Sequence, residues 1–315
     1  MQDSGLRCPQ CDYNLTGAPG PRCPECGRPI DEAEDCEAPF TIDLIRRLCT
    51  REVVVRWDPT PQRLEPGLDA HVERIWRQRL AAARKSGRRL YNGSLARLAR
   101  WSIKEDVLCL ETGPTDYRHF LATNFCPGQR VGAEACADPL GTSATVITAD
   151  GRLVLGRRQP NLPCHAGYLH AVGGMLEPHD RTDDGGLDVF AALRRELAEE
   201  LAVAGDEIEE LVVTGLVRDR TIVQPELLFD ARLSLTAREL FDRLDLSHPD
   251  QEHTALESCG DEPETVVPFI ERSDSITPVA VAALLLHGRH DWGGDWYEAS
   301  CYRLFGDLPN KTAKR

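Results

Sequence analysis

No run of apolar residues in this 315-residue chain approaches the ~20 needed to span a bilayer. No charged-then-apolar leader opens it, so we expect a cytoplasmic protein with no membrane contact. Positive charge is in deficit: 37 Lys and Arg face 51 Asp and Glu, for a net charge of −14. That balance disfavours a nucleic-acid surface but leaves room for a nucleotide held through a metal ion. There is no internal repeat, which sets aside solenoids and propellers.

Cysteine, by contrast, is plentiful, at 12 residues. The length and the missing leader argue against a secreted disulfide scaffold. Four cysteines fall into two Cys-x-x-Cys knuckles, Cys8–Cys11 and Cys23–Cys26, with eleven residues between them. Four thiolates at this spacing suit a tetrahedral structural Zn²⁺ with no open position for catalysis. A segment this short has no core of its own, so the metal would supply its folding energy. With Tyr13, Leu15 and Gly17 between the knuckles, the segment resembles appended bacterial zinc ribbons. Its partner is open between nucleic acid, protein and none at all. The other eight cysteines are expected to be reduced core or surface thiols.

Past an acidic linker at 31–38, hydrophobic spacing predicts strands over 52–57, 90–103, 107–111, 145–148, 153–156, 169–172, 210–217, 226–235 and 265–269. Helices are predicted over 69–85, 116–124, 189–203, 236–246 and 277–287. Ala149-Asp150-Gly151 between two apolar runs is a hairpin signal. Interleaved strands and helices indicate an α/β fold. The chain divides into a zinc ribbon at 1–35, a main α/β domain at 138–305 and, between them, an N-terminal α+β region at 36–137 packed on the main domain.

The helix over 189–203 carries the chemistry. Phe190, Leu193, Leu197 and Leu201 recur at helical spacing and give it a face to bury. Glu196, Glu199 and Glu200 stand at i, i+3 and i+4, so they point the same way. On its own such a run is usually a solvated acidic face. Three convergent carboxylates also suit a hard cation such as Mg²⁺. Arg195, one turn before Glu199, can orient its carboxylate. Upstream, Gly173-Gly174 lets the backbone approach a metal or phosphate closely.

The order Arg195-Glu196-Leu197-Ala198-Glu199-Glu200-Leu201-Ala202-Val203, preceded by Gly174, resembles the signature of the Nudix hydrolases. Ala202 stands where that signature has glycine. The loop between Gly174 and Arg195 is lengthened somewhere within 178–187, so neither Glu177 nor Asp188 is assigned as a ligand. The resemblance implies a Nudix α/β/α sandwich with a mixed sheet, an N-terminal α+β extension and the small zinc ribbon. It also implies Mg²⁺ (or Mn²⁺) held by Glu196, Glu199, Glu200 and the Gly173 carbonyl, in a pyrophosphohydrolase.

A narrower resemblance, to animal Nudix enzymes of UDP-glucose and UDP-galactose, rests on residues 114–125 and 138–141, Ile75-Trp76, Val172-Gly173-Gly174, the lengthened loop and Pro225-Glu226. It covers roughly residues 70–290. It implies hydrolysis of a nucleotide sugar to UMP and a hexose 1-phosphate, with Glu226 as general base and Glu200 as competitor. Tyr168 and His170, just before the glycines, are placed to stack on a base or ribose. Arg157 and Arg158 are placed to meet a diphosphate, and Arg118 and Asn124 lie in the shared segment. Cys164-His165 is not expected to act as a nucleophile pair, since no orienting acid is evident. The competing readings are a Nudix hydrolase of another nucleotide, such as ADP-ribose, and a non-catalytic nucleotide sensor.

Overall fold

The computed structural model describes residues 37–62, 67–85, 90–125, 132–162, 164–244 and 252–309. The zinc-ribbon segment with Cys8, Cys11, Cys23 and Cys26 lies outside the described residues. In chain order come β1 (Phe40–Leu48), β2 (Val53–Trp57), α1 (Leu68–Lys85), β3 (Ser94–Lys104), β4 (Val107–Asp116) and α2 (Tyr117–Thr123). Next are β5 (Gly141–Ile147), β6 (Arg152–Arg158), β7 (Leu169–His170), β8 (Val172–Met175) and α3 (Val189–Leu201). The chain continues through β9 (Ile208–Asp219), β10 (Pro225–Leu233), α4 (Ala237–Asp242), β11 (His253–Gly260), α5 (Pro263–Arg272), α6 (Pro278–Asp291) and α7 (Gly294–Phe305).

Eight strands make one mixed sheet in the order β1-β9-β10-β5-β6-β11, with β8 added to β5 and β7 to β6. Among the described residues, its single parallel strand pair is β10 with β5. The period of two along each strand sorts side chains to the two faces. Leu227, Phe229 and Ala231 of β10 join Leu193, Leu197 and Leu201 of α3 in one core. Leu228 faces the other way, into a core with Leu284, Leu285 and Leu286 of α6, to which Tyr297 and Cys301 of α7 also belong. Each such fully buried aliphatic stabilises the fold by about 1.5–3 kcal/mol. The layering is the expected α/β/α sandwich.

A second sheet, β2-β4-β3, covers the α3 side and places Leu98, Leu108 and Leu110 in the same core as α3. β3 is also tied in by backbone bonds from Ala96 N to Leu176 O (2.8 Å) and from Leu98 N to Asp138 O (2.9 Å). β1 falls in the 36–137 stretch yet forms an edge of the large sheet, antiparallel to β9. The N-terminal region is thus woven into the sandwich as well as packed on it.

One element differs from the sequence expectation. Residues 265–269, read as a strand, lie inside the helix α5. Val266, Val267, Phe269 and Ile270 are its buried face, a helical spacing hidden by β-branched composition, and Pro263 at the first turn starts the helix. β1, β11 and α7 were not anticipated. No helix among the described residues is long and apolar enough to cross a membrane. Cys49, Cys109, Cys136, Cys164, Cys259 and Cys301 are free thiols.

Candidate active site

α3 begins at Asp188, whose Oδ1 accepts from the amides of Phe190 and Ala191, both at 2.9 Å. Asp188 is therefore a cap and not a ligand. The helix ends at Ala202, which takes a left-handed conformation at φ +52°. That is the conformation a glycine adopts without cost. The predicted apolar face is buried, and it carries Glu200 inward with it.

The double glycine lies on β8, beside β5, and β10 lies on the other side of β5. Gly141 of β5 pairs with Glu226 on one side and Met175 on the other, so Glu226 and the glycines occupy neighbouring rows. Gly174 is required by packing: a Cβ there would stand 2.5 Å from Cδ of Glu196. A Cβ at Gly173 would stand 1.9 Å from the Thr142 carbonyl oxygen, and one at Gly141 would meet Oε2 of Glu226. The helix carboxylate Glu196 thus rests directly on the glycine strand.

Burial pushes the Glu196 carboxyl up to about 7; Arg195 opposes the shift, and the charges of Glu200 and Glu199 add to it. Glu226 is buried, accepts a 2.5 Å hydrogen bond from Ser143 Oγ, and is pushed up to about 8, chiefly by burial. Arg195 donates to Glu196 Oε1 at 2.7 Å, to Glu199 Oε2 at 3.4 Å and to Asp180 Oδ1 at 3.4 Å. Asp180 comes from the lengthened loop, which a bridge between Arg181 and Leu187 closes into a short excursion. The insertion therefore supplies a carboxylate that aims Arg195.

The three helix glutamates are not equivalent. Glu199 has a 61% exposed side chain, whereas Glu200 is 6% exposed and accepts from His253 Nε2 at 3.0 Å. Glu252 lies close to both, and partial burial with their charges pushes its carboxyl up. Asp180, Glu252 and His253 were missed in the sequence. No local pattern marks them, because they reach the site from a loop and from the far edge of the sheet.

The candidate substrate residues separate clearly. Arg157 is engaged with Glu257 and the Gly167 carbonyl. Arg158, its neighbour on β6, acts electrostatically on Glu226, Cys164 and Tyr117, and its Nε is buried without a partner among the described residues. Tyr168 is 37% exposed, and its carbonyl accepts from the Arg158 amide at 2.9 Å. His170 instead bonds Thr277 Oγ1 at 2.8 Å, at the cap of α6. Arg118 pairs with Asp116 and Glu73. Asn124 braces Asp138, Ala137 and the Val223 carbonyl from a buried position. His165 does have an acid partner, Asp219 at 3.1 Å, contrary to expectation. Burial nonetheless pushes the Cys164 thiol up to about 12, which leaves it without thiolate to attack with.

The donors fit a hard divalent cation. They are carboxylate and carbonyl oxygens, and Glu196 is a carboxyl that nearby positive charge would return to its ionised form. Among the described residues, a group of three ligand atoms all within 4.8 Å occurs instead at Asp230, His287 and Asp291. There His287 bonds Asp230 at 3.0 Å and Asp261 at 2.8 Å, while Arg47 and Arg232 pair with Asp291. That network supplies its own cations.

No family model matches the chain. It is 23% identical over 207 residues to Nudix hydrolase 9 of Arabidopsis thaliana, covering 55% of this chain and 65% of that relative. It is 27% identical over 276 residues to uridine diphosphate glucose pyrophosphatase NUDT22 of Mus musculus, covering 77% of this chain and 87% of that protein. The chain is Nudix-like. Among solved structures, a Nudix hydrolase from Nitrosomonas europaea superposes with a TM-score of 0.34 at 16% identity, over 48% of this chain and 89% of that one. The expected class, a Nudix pyrophosphohydrolase, is borne out by the Nudix-hydrolase relatives. The mixed α/β architecture described above bears out the fold.

Proposed function

We propose that the chain is a Mg²⁺- or Mn²⁺-dependent hydrolase of nucleoside-diphosphate sugars, cutting UDP-glucose or UDP-galactose to UMP and a hexose 1-phosphate. The observation that carries this reading is Glu196 seated on Gly174. It puts the acidic turn of α3 against the glycine strand, which β5 separates from Glu226 of β10. The likeness to the mouse UDP-glucose pyrophosphatase supports the choice of sugar nucleotide.

Glu196, Glu199, Glu200 and the Gly173 carbonyl would hold the divalent ions, with Arg195 fixing the first two carboxylates. When bound, the ions supply positive charge that offsets the diphosphate's own. Arg158 would meet a phosphate oxygen, since Arg157 is committed to Glu257. Tyr168, beside Arg158, offers an exposed ring to the base or ribose. Gly174 makes the room that the Glu196 carboxylate takes up beside the strand, where the diphosphate would pass. Glu226 would take the proton of the attacking water, its elevated pKa being suited to that role. Residues 1–35 would be a zinc-holding module, followed by the 36–137 region and the hydrolase domain at 138–305, in a cytoplasmic protein.

The test is incubation with UDP-glucose, UDP-galactose and ADP-ribose in Mg²⁺ or Mn²⁺, reading phosphate after phosphatase treatment. UDP-hexoses should turn over, and Glu199→Gln with Glu200→Gln should abolish that turnover. Absence of UDP-hexose turnover with either metal would overturn the substrate assignment.

A further inference from the structure

One contact reaches the acidic turn from the far edge of the sheet. His253 opens β11, paired with Arg158 of β6. Its ring is 1% exposed, and its Nε2 stands 3.0 Å from Glu200 Oε2. Nδ1 is also buried and has no partner among the described residues. An imidazole carrying one proton satisfies this arrangement only with the proton on Nε2. On Nδ1 it would bury a donor without an acceptor and set a lone pair against the carboxylate.

The ring has a built seat. Gly156 lies in the interior of β6, where a glycine weakens a strand, and its φ is not in the left-handed region. A Cβ on Gly156 would fall 2.4 Å from both Cε1 and Nδ1 of His253. The absence of a side chain at 156 is therefore matched to the presence of a ring at 253.

We propose that His253, seated on Gly156, is a positioning residue for Glu200. Its N–H holds Oε2 and so sets the direction in which the other oxygen of that carboxylate faces the divalent-cation site. The proposal rests on the hydrolase reading above. Partners of this kind behind metal-ligating groups typically govern affinity by about 10–100-fold.

The experiment is direct titration of the full chain with Mn²⁺, by calorimetry or electron paramagnetic resonance, alongside metal-free thermal melts. His253→Phe removes the donor and keeps a ring. His253→Gln restores an N–H near the Nε2 position. Gly156→Ala leaves the histidine in the sequence and evicts it from its seat. We expect His253→Phe and Gly156→Ala to lose about 10–100-fold in Mn²⁺ affinity, and His253→Gln to recover most of it. Raising Mn²⁺ should restore turnover in the weakened variants. Unchanged Mn²⁺ affinity in His253→Phe would overturn the proposal; if that variant does not fold, Gly156→Ala decides by the same criterion. A wild-type chain that binds no Mn²⁺ would instead sink the hydrolase reading itself.

Discussion

At the scale of single residues, buried carboxyls set the pH behaviour. Glu226 is held up to about 8 by burial, with Asp219 adding to the shift and Ser143 and Arg158 opposing it. As the proposed general base it must first lose its proton, so kcat/KM for a UDP-hexose should climb as pH rises through about 8 and then level. Glu226→Gln should remove that limb and lower kcat by about 10²–10⁴-fold. A pH–rate profile of both proteins checks this; an unchanged limb in the variant would hand the role to another group. The site residues differ in how legible they were. Glu196, Glu199, Glu200, Arg195 and the glycines declare themselves through spacing along one helix and the strand before it. Asp180 and His253 do not, because each acts on α3 from a segment whose own sequence shows no pattern. Arg157 and Arg158 looked alike in sequence, and only the position of Glu257 on β11 tells them apart.

At the scale of elements, the end of α3 carries an avoidable cost. Ala202 occupies the left-handed cap at φ +52°, with its amide bonded to Ala198 O and the Val203 amide bonded to Leu197 O. An L-residue in that conformation costs about 1–2 kcal/mol, part of which glycine returns as chain entropy in the unfolded state. Ala202→Gly should therefore stabilise the protein by about 0.5–1 kcal/mol, raising Tm by about 1–2 °C. A paired thermal melt checks it, and Glu196 geometry should be untouched. Elements with strong local signals, α1, α3, α6 and the β5–β6 hairpin, were readable. α5 was misread because Val266 and Val267 favour strands by composition, while the face that Val266 shares with Phe269 and Ile270 becomes meaningful only against the α6 core. β1 escaped notice because its burial is irregular, broken by two register shifts against β9.

At the scale of the whole molecule, the α6 side of the large sheet is pinned by charge. Burial works against protonating His287, but hydrogen bonds to Asp230 and Asp261 outweigh it and push the imidazole up to about 10. Its folded pKa lies above the unfolded value of about 6.5, so its contribution is complete below that pH and is lost as pH rises through about 10. Denaturant melts at pH 6, 8 and 10 should show stability falling across the series. His287→Gln should start less stable and decline less steeply.

The pairing of β1 with β9 has a further consequence. β9 is covered by residues that precede the entire α1–α2 region, so the polypeptide makes a round trip before its large sheet is complete. A fragment starting near residue 138 would leave β9 with a bare row of amides and carbonyls, and Val217 without the roof that Phe40 and Ile42 give it. Such a fragment would pair with copies of itself along that margin. What looks like an accessory N-terminal region thus supplies the outermost strand of the large sheet and, with it, part of the core on the α6 side.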